Sequence, residues 1–134
     1  MRLEQLIAKR LTINKRDARL KIASGKVIVN NAPLTDGRFD VDAFTKVTCE
    51  GVTVQPSRER IYLMLNKPKG TISATTDPVH QTVLDLIDHP LVHELHLTGR
   101  LDRSSTGLIL LTNDSKWSRQ MSHPDEKLEK VYLV

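Results

Sequence analysis

The 134 residues contain a single cysteine, Cys49. That excludes an intrachain disulfide and any cysteine-cluster zinc site. Aromatic residues make up only 4% of the chain, so Phe39, Phe44, Tyr62, Trp117 and Tyr132 are each expected to carry weight in a core. No stretch approaches the roughly 20 apolar residues that a membrane helix needs. The opening Met1-Arg2-Leu3-Glu4-Gln5 lacks the apolar segment and small-residue cleavage site of a signal peptide. The expected compartment is the cytoplasm, with Cys49 reduced. Five histidines are present, and His93 and His96 are three apart with His89 nearby. In a strand, positions three apart face opposite sides, and no known metal-ligand spacing surrounds them, so no metal is predicted.

Hydrophobic residues at 39% and charged residues at 27% suit a soluble globular protein. The length fits one ordinary domain or two small ones. The net charge of +4 is unevenly placed. Residues 1–60 hold 12 Lys and Arg against 7 Asp and Glu, a net +5, whereas residues 61–134 hold 8 against 9. Within residues 1–26 the count is 8 against 2. A basic cluster of this kind suits a phosphate backbone, through counterion release.

Leu3, Leu6, Ile7 and Leu11 recur at helical spacing over residues 2–11. Thr12-Ile13-Asn14 breaks the pattern. Asn14 is a suitable N-cap, with Asp17 three residues on. A second helix is predicted from Lys15 to Ser24, stopped by Gly25, with Ala18, Ile22 and Leu20 buried. Lys15, Arg16 and Arg19 then share the opposite side. Lys26-Val27-Ile28-Val29-Asn30 reads as a strand and Asn30-Asn31 as a turn. Residues 33–55 read as short strands and turns, and residues 55–60 as a linker.

Ile61–Leu65 reads as a strand, Asn66-Lys67-Pro68-Lys69-Gly70 as a turn, and residues 77–87 as a loop entering a short helix. Residues 94–98 form the strand that delivers Gly99-Arg100-Leu101-Asp102-Arg103-Ser104-Ser105-Thr106-Gly107. In that loop two glycines bracket one carboxylate lying between two arginines. A buried strand, Leu108-Ile109-Leu110-Leu111, follows. Lys116–Met121 suits a helix ending before Pro124. Residues 129–134 are expected to form a strand with Lys130, Tyr132 and Val134 on one face.

Residues 99–113 resemble the signature of pseudouridine synthases, and in particular the RsuA-type branch that acts on ribosomal RNA. The pattern is Gly-Arg-Leu-Asp, two variable residues, Ser, one residue, Gly, four apolar residues and Thr-Asn. Asn66–Gly70 is similar to the start of the same catalytic domain, and Glu129–Val134 resembles its second motif. The implied reaction isomerises uridine in RNA to pseudouridine without a cofactor. The N1–C1′ bond breaks, the uracil turns, and C5 bonds to C1′. The resemblance implies Asp102 as nucleophile and Tyr132 as the residue stacking on the base. It implies Arg100 as the wedge that fills the space of the flipped nucleotide. Guanidinium groups beside Asp102 would favour its ionised form. Arg103 and Lys67 join Arg100 as candidate RNA contacts.

Residues 1–58 are similar to the S4 RNA-binding module, on Arg2-Leu3, on Arg16 with Ala18 and Arg19, and on Ser24-Gly25-Lys26-Val27-Ile28-Val29-Asn30. The implied RNA contacts there are Arg2, Arg16, Arg19, Lys21 and Lys26. Together these resemblances imply an α+β chain with an S4-like domain at 1–58. The front portion of a mixed, mainly antiparallel catalytic domain follows at 61–134. The family continues past its tyrosine strand with a basic residue that pairs with the catalytic aspartate. A chain ending at Val134 is therefore expected to be a piece that does not catalyse alone. The expected partner is structured small-subunit ribosomal RNA, and the expected state is a monomer outside any membrane. A non-catalytic S4-type RNA-binding protein is the alternative.

Overall fold

The computed structural model describes residues 1–122, 129 and 131–134. The chain divides into two compact units, Met1–Glu59 and Arg60–Val134. The architecture is α+β, as the resemblances imply.

In the first unit, α1 (Leu3–Leu11) and α2 (Lys15–Ala23) lie beside a four-stranded antiparallel sheet. Its strands are β1 (Val27–Val29), β2 (Ala32–Pro33), β3 (Val47–Cys49) and β4 (Val52–Gln55), in the order β2-β1-β3-β4. The first free N–H groups of α1 are satisfied by the chain itself. Leu3 N–H donates to the Phe39 carbonyl at 2.8 Å and Glu4 N–H to the Gly37 carbonyl at 3.0 Å. At α2, Asn14 Oδ1 accepts from Asp17 N–H at 2.8 Å, the predicted cap. The helix ends in a Schellman arrangement. Gly25 N–H bonds the Ile22 carbonyl and Lys26 N–H the Lys21 carbonyl, with Gly25 at φ +75°.

Both hairpin turns, Asn30-Asn31 and Glu50-Gly51, hold two residues at positive φ. This is the turn geometry that matches strand twist. The core is aliphatic, with Leu3, Ile7, Ile22, Val27 and Val47 fully enclosed. Leu20, expected inside, is 61% exposed. The buried stripe of α2 is only Ala18 and Ile22, because a nine-residue helix lying on a small sheet buries a narrow face.

The second unit is built on a three-stranded antiparallel sheet in the order β5-β7-β6. Its strands are β5 (Tyr62–Lys67), β6 (His96–Thr98) and β7 (Gly107–Thr112). Tyr62 pairs with Thr112 and Lys67 with Gly107, so β5 runs two residues further than Leu65, into the expected turn. Short 3-10 turns at Leu84–Leu86 and Val92–Glu94 pack Val83 and Leu95 onto Ile109 and Leu111. Helix α3 (Ser115–Ser122) is capped by Asp114, whose Oδ1 accepts from Trp117 N–H at 3.1 Å.

Two expectations change. No aromatic residue enters either core. Phe39, Tyr62 and Tyr132 are exposed, and Phe44 and Trp117 are half-buried. Tyr62 and Trp117 meet edge to face at 5.2 Å, and the Tyr62 hydroxyl donates to Asp114 at 2.6 Å. That bond holds the Tyr62 hydroxyl above its ordinary pKa and the Asp114 carboxyl below its own. The strand predicted at 129–134 is not seen among the described residues, where Val131–Val134 are exposed and pair with no strand. Lys130, and the Pro124 predicted to end α3, lie outside the described residues.

Candidate active site

The loop between β6 and β7 begins and ends on glycines that the backbone requires. Gly99 sits at φ +93° and Gly107 at φ +137°. Only a residue without a side chain adopts these angles freely.

Between them, the segment 67–73 holds the loop's carbonyl groups one after another. The Ser73 hydroxyl donates to the Leu101 carbonyl at 2.6 Å. Gly70 N–H donates to the Arg103 carbonyl at 2.8 Å. The Lys67 ammonium donates to the Ser105 carbonyl at 2.7 Å, to Pro68 at 3.1 Å and to Arg103 at 3.2 Å. Within the loop, Ser105 N–H closes onto the Asp102 carbonyl at 3.0 Å. Asp102 therefore sits in a backbone fixed on both sides, and its side chain points into solvent.

Lys67 corrects a sequence expectation. It was a candidate RNA contact, but it is 1% exposed and its three protons are spent on carbonyl oxygens. Strand alternation carries the signal for this: Leu63, Leu65 and Lys67 share one face of β5, the inward one. The arginines beside Asp102 also behave differently from expectation. Arg103 turns its Nε to the Gly70 carbonyl at 3.3 Å. Among the described residues no ion pair joins either arginine to Asp102. Arg100 is exposed and borders a cavity of about 480 Å³ with Ser73, Thr75, His96, Gly99 and Ser122. Arg103 borders a second, of about 370 Å³, with Lys69, Gly70 and Ser104. Tyr132 is 79% exposed, and the structure gives it no hydrogen bond to the loop among the described residues. Those residues also hold no group of three potential ligands placed for one metal ion.

The basic candidates of the first unit separate into two kinds. Arg19 donates to Glu4 through Nε at 2.6 Å and Nη2 at 3.4 Å, and Lys15 reaches the same carboxylate at 3.1 Å. Glu4 is buried beneath them. The Arg19 hydrogen bond, opposed by burial and helped by Lys15, lowers its pKa to about 2. Lys21 and Lys26 both pair with Glu50, at 3.2 and 2.9 Å. Arg2 and Arg16 are exposed and carry no ion pair among the described residues. Sequence reasoning missed Glu4 and Glu50 as partners. Glu4 lies four residues before Ala8 and three before Ile7, on the inward face, which is the signal it offered.

A loop of this kind presents one exposed carboxylate on a hydrogen-bonded stretch of backbone. The family profile of RNA pseudouridylate synthases matches residues 61–134. Over all 134 residues the chain is 42% identical to the ribosomal small subunit pseudouridine synthase A of Pseudomonas aeruginosa, covering 58% of that protein. It is 37% identical to the protein of the same name from Salmonella typhimurium and 34% identical to that of Haemophilus influenzae, again over 58% of their lengths. A crystal structure of a pseudouridylate synthase matches 93% of this chain and 54% of its own, with a TM-score of 0.47 and 30% identity. The chain thus spans a little over half the length of the curated relatives it matches.

Proposed function

Since this chain belongs to the RNA pseudouridylate synthase family, we propose that the protein isomerises uridine to pseudouridine in small-subunit ribosomal RNA. Asp102 acts as the nucleophile. The observation that carries the reading is the loop 99–107, where two conformationally required glycines and three clamped carbonyls hold one solvent-facing carboxylate. A fixed nucleophile lowers the entropic part of the barrier. The small-subunit assignment rests on the names of the relatives.

In this proposal the target uridine leaves its stack and enters beside Asp102. Arg100, exposed at the loop's start, occupies the vacated space, its planar guanidinium stacking on bases and pairing with phosphate. Arg103 contacts the phosphate backbone, and Tyr132 stacks on the uracil. Residues 1–58 serve as an S4-like RNA-binding domain and residues 61–134 as the front of the catalytic domain. Arg2 and Arg16 make the strongest phosphate contacts of the first domain, because Arg19, Lys21 and Lys26 already share carboxylates.

The test is to incubate the full-length protein with unmodified small-subunit and large-subunit ribosomal RNA transcripts and map pseudouridine chemically. New pseudouridine confined to the small-subunit transcript is the expected result. Formation only in the large-subunit transcript, or in neither, contradicts the proposal.

A further inference from the structure

Ser73 stands apart from the residues discussed so far, because its side chain takes both hydrogen-bonding groups of one loop residue. Its hydroxyl donates to the Leu101 carbonyl at 2.6 Å and accepts from Leu101 N–H at 3.0 Å. Ser73 is 9% exposed, so water competes poorly for either bond. We infer that Ser73 is a positioning residue for the proposed catalysis, fixing the peptide plane that carries Asp102. The inference rests on the reading of Asp102 as nucleophile.

The reasoning follows from the covalent geometry. The Leu101 carbonyl, the Asp102 nitrogen and the Asp102 Cα lie in one rigid plane. Holding that carbonyl oxygen sets where the Asp102 nitrogen and Cα sit. On the other side, the Asp102 carbonyl accepts from Ser105 N–H at 3.0 Å, which limits ψ. With the backbone held on both sides, the direction of the Asp102 Cα–Cβ bond is set, and only the side chain's own staggered rotamers remain to place the carboxylate. Asp102 has no side-chain partner of its own among the described residues, so its aim depends on this backbone.

Ser73 is itself held from behind. Ala74 N–H bonds the Ile72 carbonyl at 2.9 Å, closing a three-residue turn centred on Ser73. Ile72 is tied to the next segment through Gln81 and Val83, at 3.0 and 3.1 Å. The hydroxyl is thus delivered from a braced backbone rather than from a free loop.

The experiment compares wild-type, Ser73→Ala and Ser73→Thr full-length proteins by two readouts. The first is amide hydrogen exchange at Leu101, which needs no turnover. Exchange is expected to be at least tenfold faster in Ser73→Ala and within threefold of wild type in Ser73→Thr, which keeps the hydroxyl. The second is steady-state kinetics on unmodified small-subunit rRNA. There kcat falls about tenfold in Ser73→Ala with KM within twofold, since only the aim of the nucleophile changes. Unchanged Leu101 exchange in Ser73→Ala overturns the inference, as does an unchanged kcat alongside faster exchange. A Ser73→Thr protein that loses activity as Ser73→Ala does overturns it too. A wild-type protein without any turnover overturns the positioning role through the function reading, while the exchange result still reports the Leu101 clamp separately.

Discussion

Glu4 in the first unit and Lys67 in the second are each almost completely buried, at 2% and 1% exposure. Glu4 is neutralised by charge, since Arg19 and Lys15 of α2 close over it from the surface. Lys67 meets no carboxylate among the described residues and is satisfied by three carbonyl dipoles of its own neighbourhood. Unit one uses a buried ion to pin two helices together. Unit two uses one to shape a loop, and among the described residues the carboxylate of Asp102 in that loop has no ion-pair partner. The Lys67 ammonium is directed at the loop backbone, where it holds the Arg103 and Ser105 carbonyls that follow Asp102.

The comparison can be broken first at Asp102. Asp102→Glu keeps the charge but adds a methylene to a side chain on a fixed backbone. Turnover by the full-length protein is expected to fall about a hundredfold or more, with RNA affinity unchanged, as single-turnover assays would show. Next comes Lys67→Met, which keeps the apolar stem and removes the donor. Leaving buried carbonyls unsatisfied is expected to cost about 3 kcal/mol, read from urea denaturation. A loss under about 1 kcal/mol would mean that the loop does not need the ammonium.

The Glu4 side of the comparison is sharpened by pH. Its folded pKa of about 2 lies below its ordinary 4.5. The stability it contributes is therefore complete above about pH 4.5 and is lost as the pH falls through about 2. Urea midpoints measured from pH 6 to pH 2 should fall through that window in the wild type. They should fall less steeply in Glu4→Gln, which starts lower at pH 6. Two smaller effects concern RNA binding by the first unit. Arg16→Ala is expected to weaken rRNA affinity several-fold and to reduce the salt slope by about one. Glu50→Gln frees Lys21 and Lys26 and should tighten binding about twofold, with a steeper salt dependence. Equal salt slopes for both variants and wild type would place the RNA elsewhere.

Local signals made most of the fold legible. Asn14, Gly25 and the Asn30-Asn31 pair announced a cap, a stop and a turn, because each acts within a few residues of itself. Asp102 stood out for the same reason, bracketed by glycines in a short pattern. What sequence left hidden depends on distance along the chain. Lys67 meets Arg103 and Ser105, 36 and 38 residues on, and Ser73 meets Leu101, 28 residues on. The Lys67 bonds follow from the pairing of β5 with β7, which no local pattern specifies. Glu50 sits at φ +51°, where glycine or asparagine fits better at a cost of about 1 kcal/mol for others. Its pairing with two lysines across the fold was equally invisible. The aromatic residues misled through scarcity, since two small units fill their cores with aliphatic side chains and Cys49.

The most direct test of the central claim is the time course of pseudouridine formation by full-length wild-type and Asp102→Asn proteins, on the same unmodified small-subunit rRNA transcript and at saturating RNA. The account predicts modification by the wild type and a loss of three or more orders of magnitude in Asp102→Asn, with RNA affinity within about twofold. Undiminished pseudouridine formation by Asp102→Asn would contradict it.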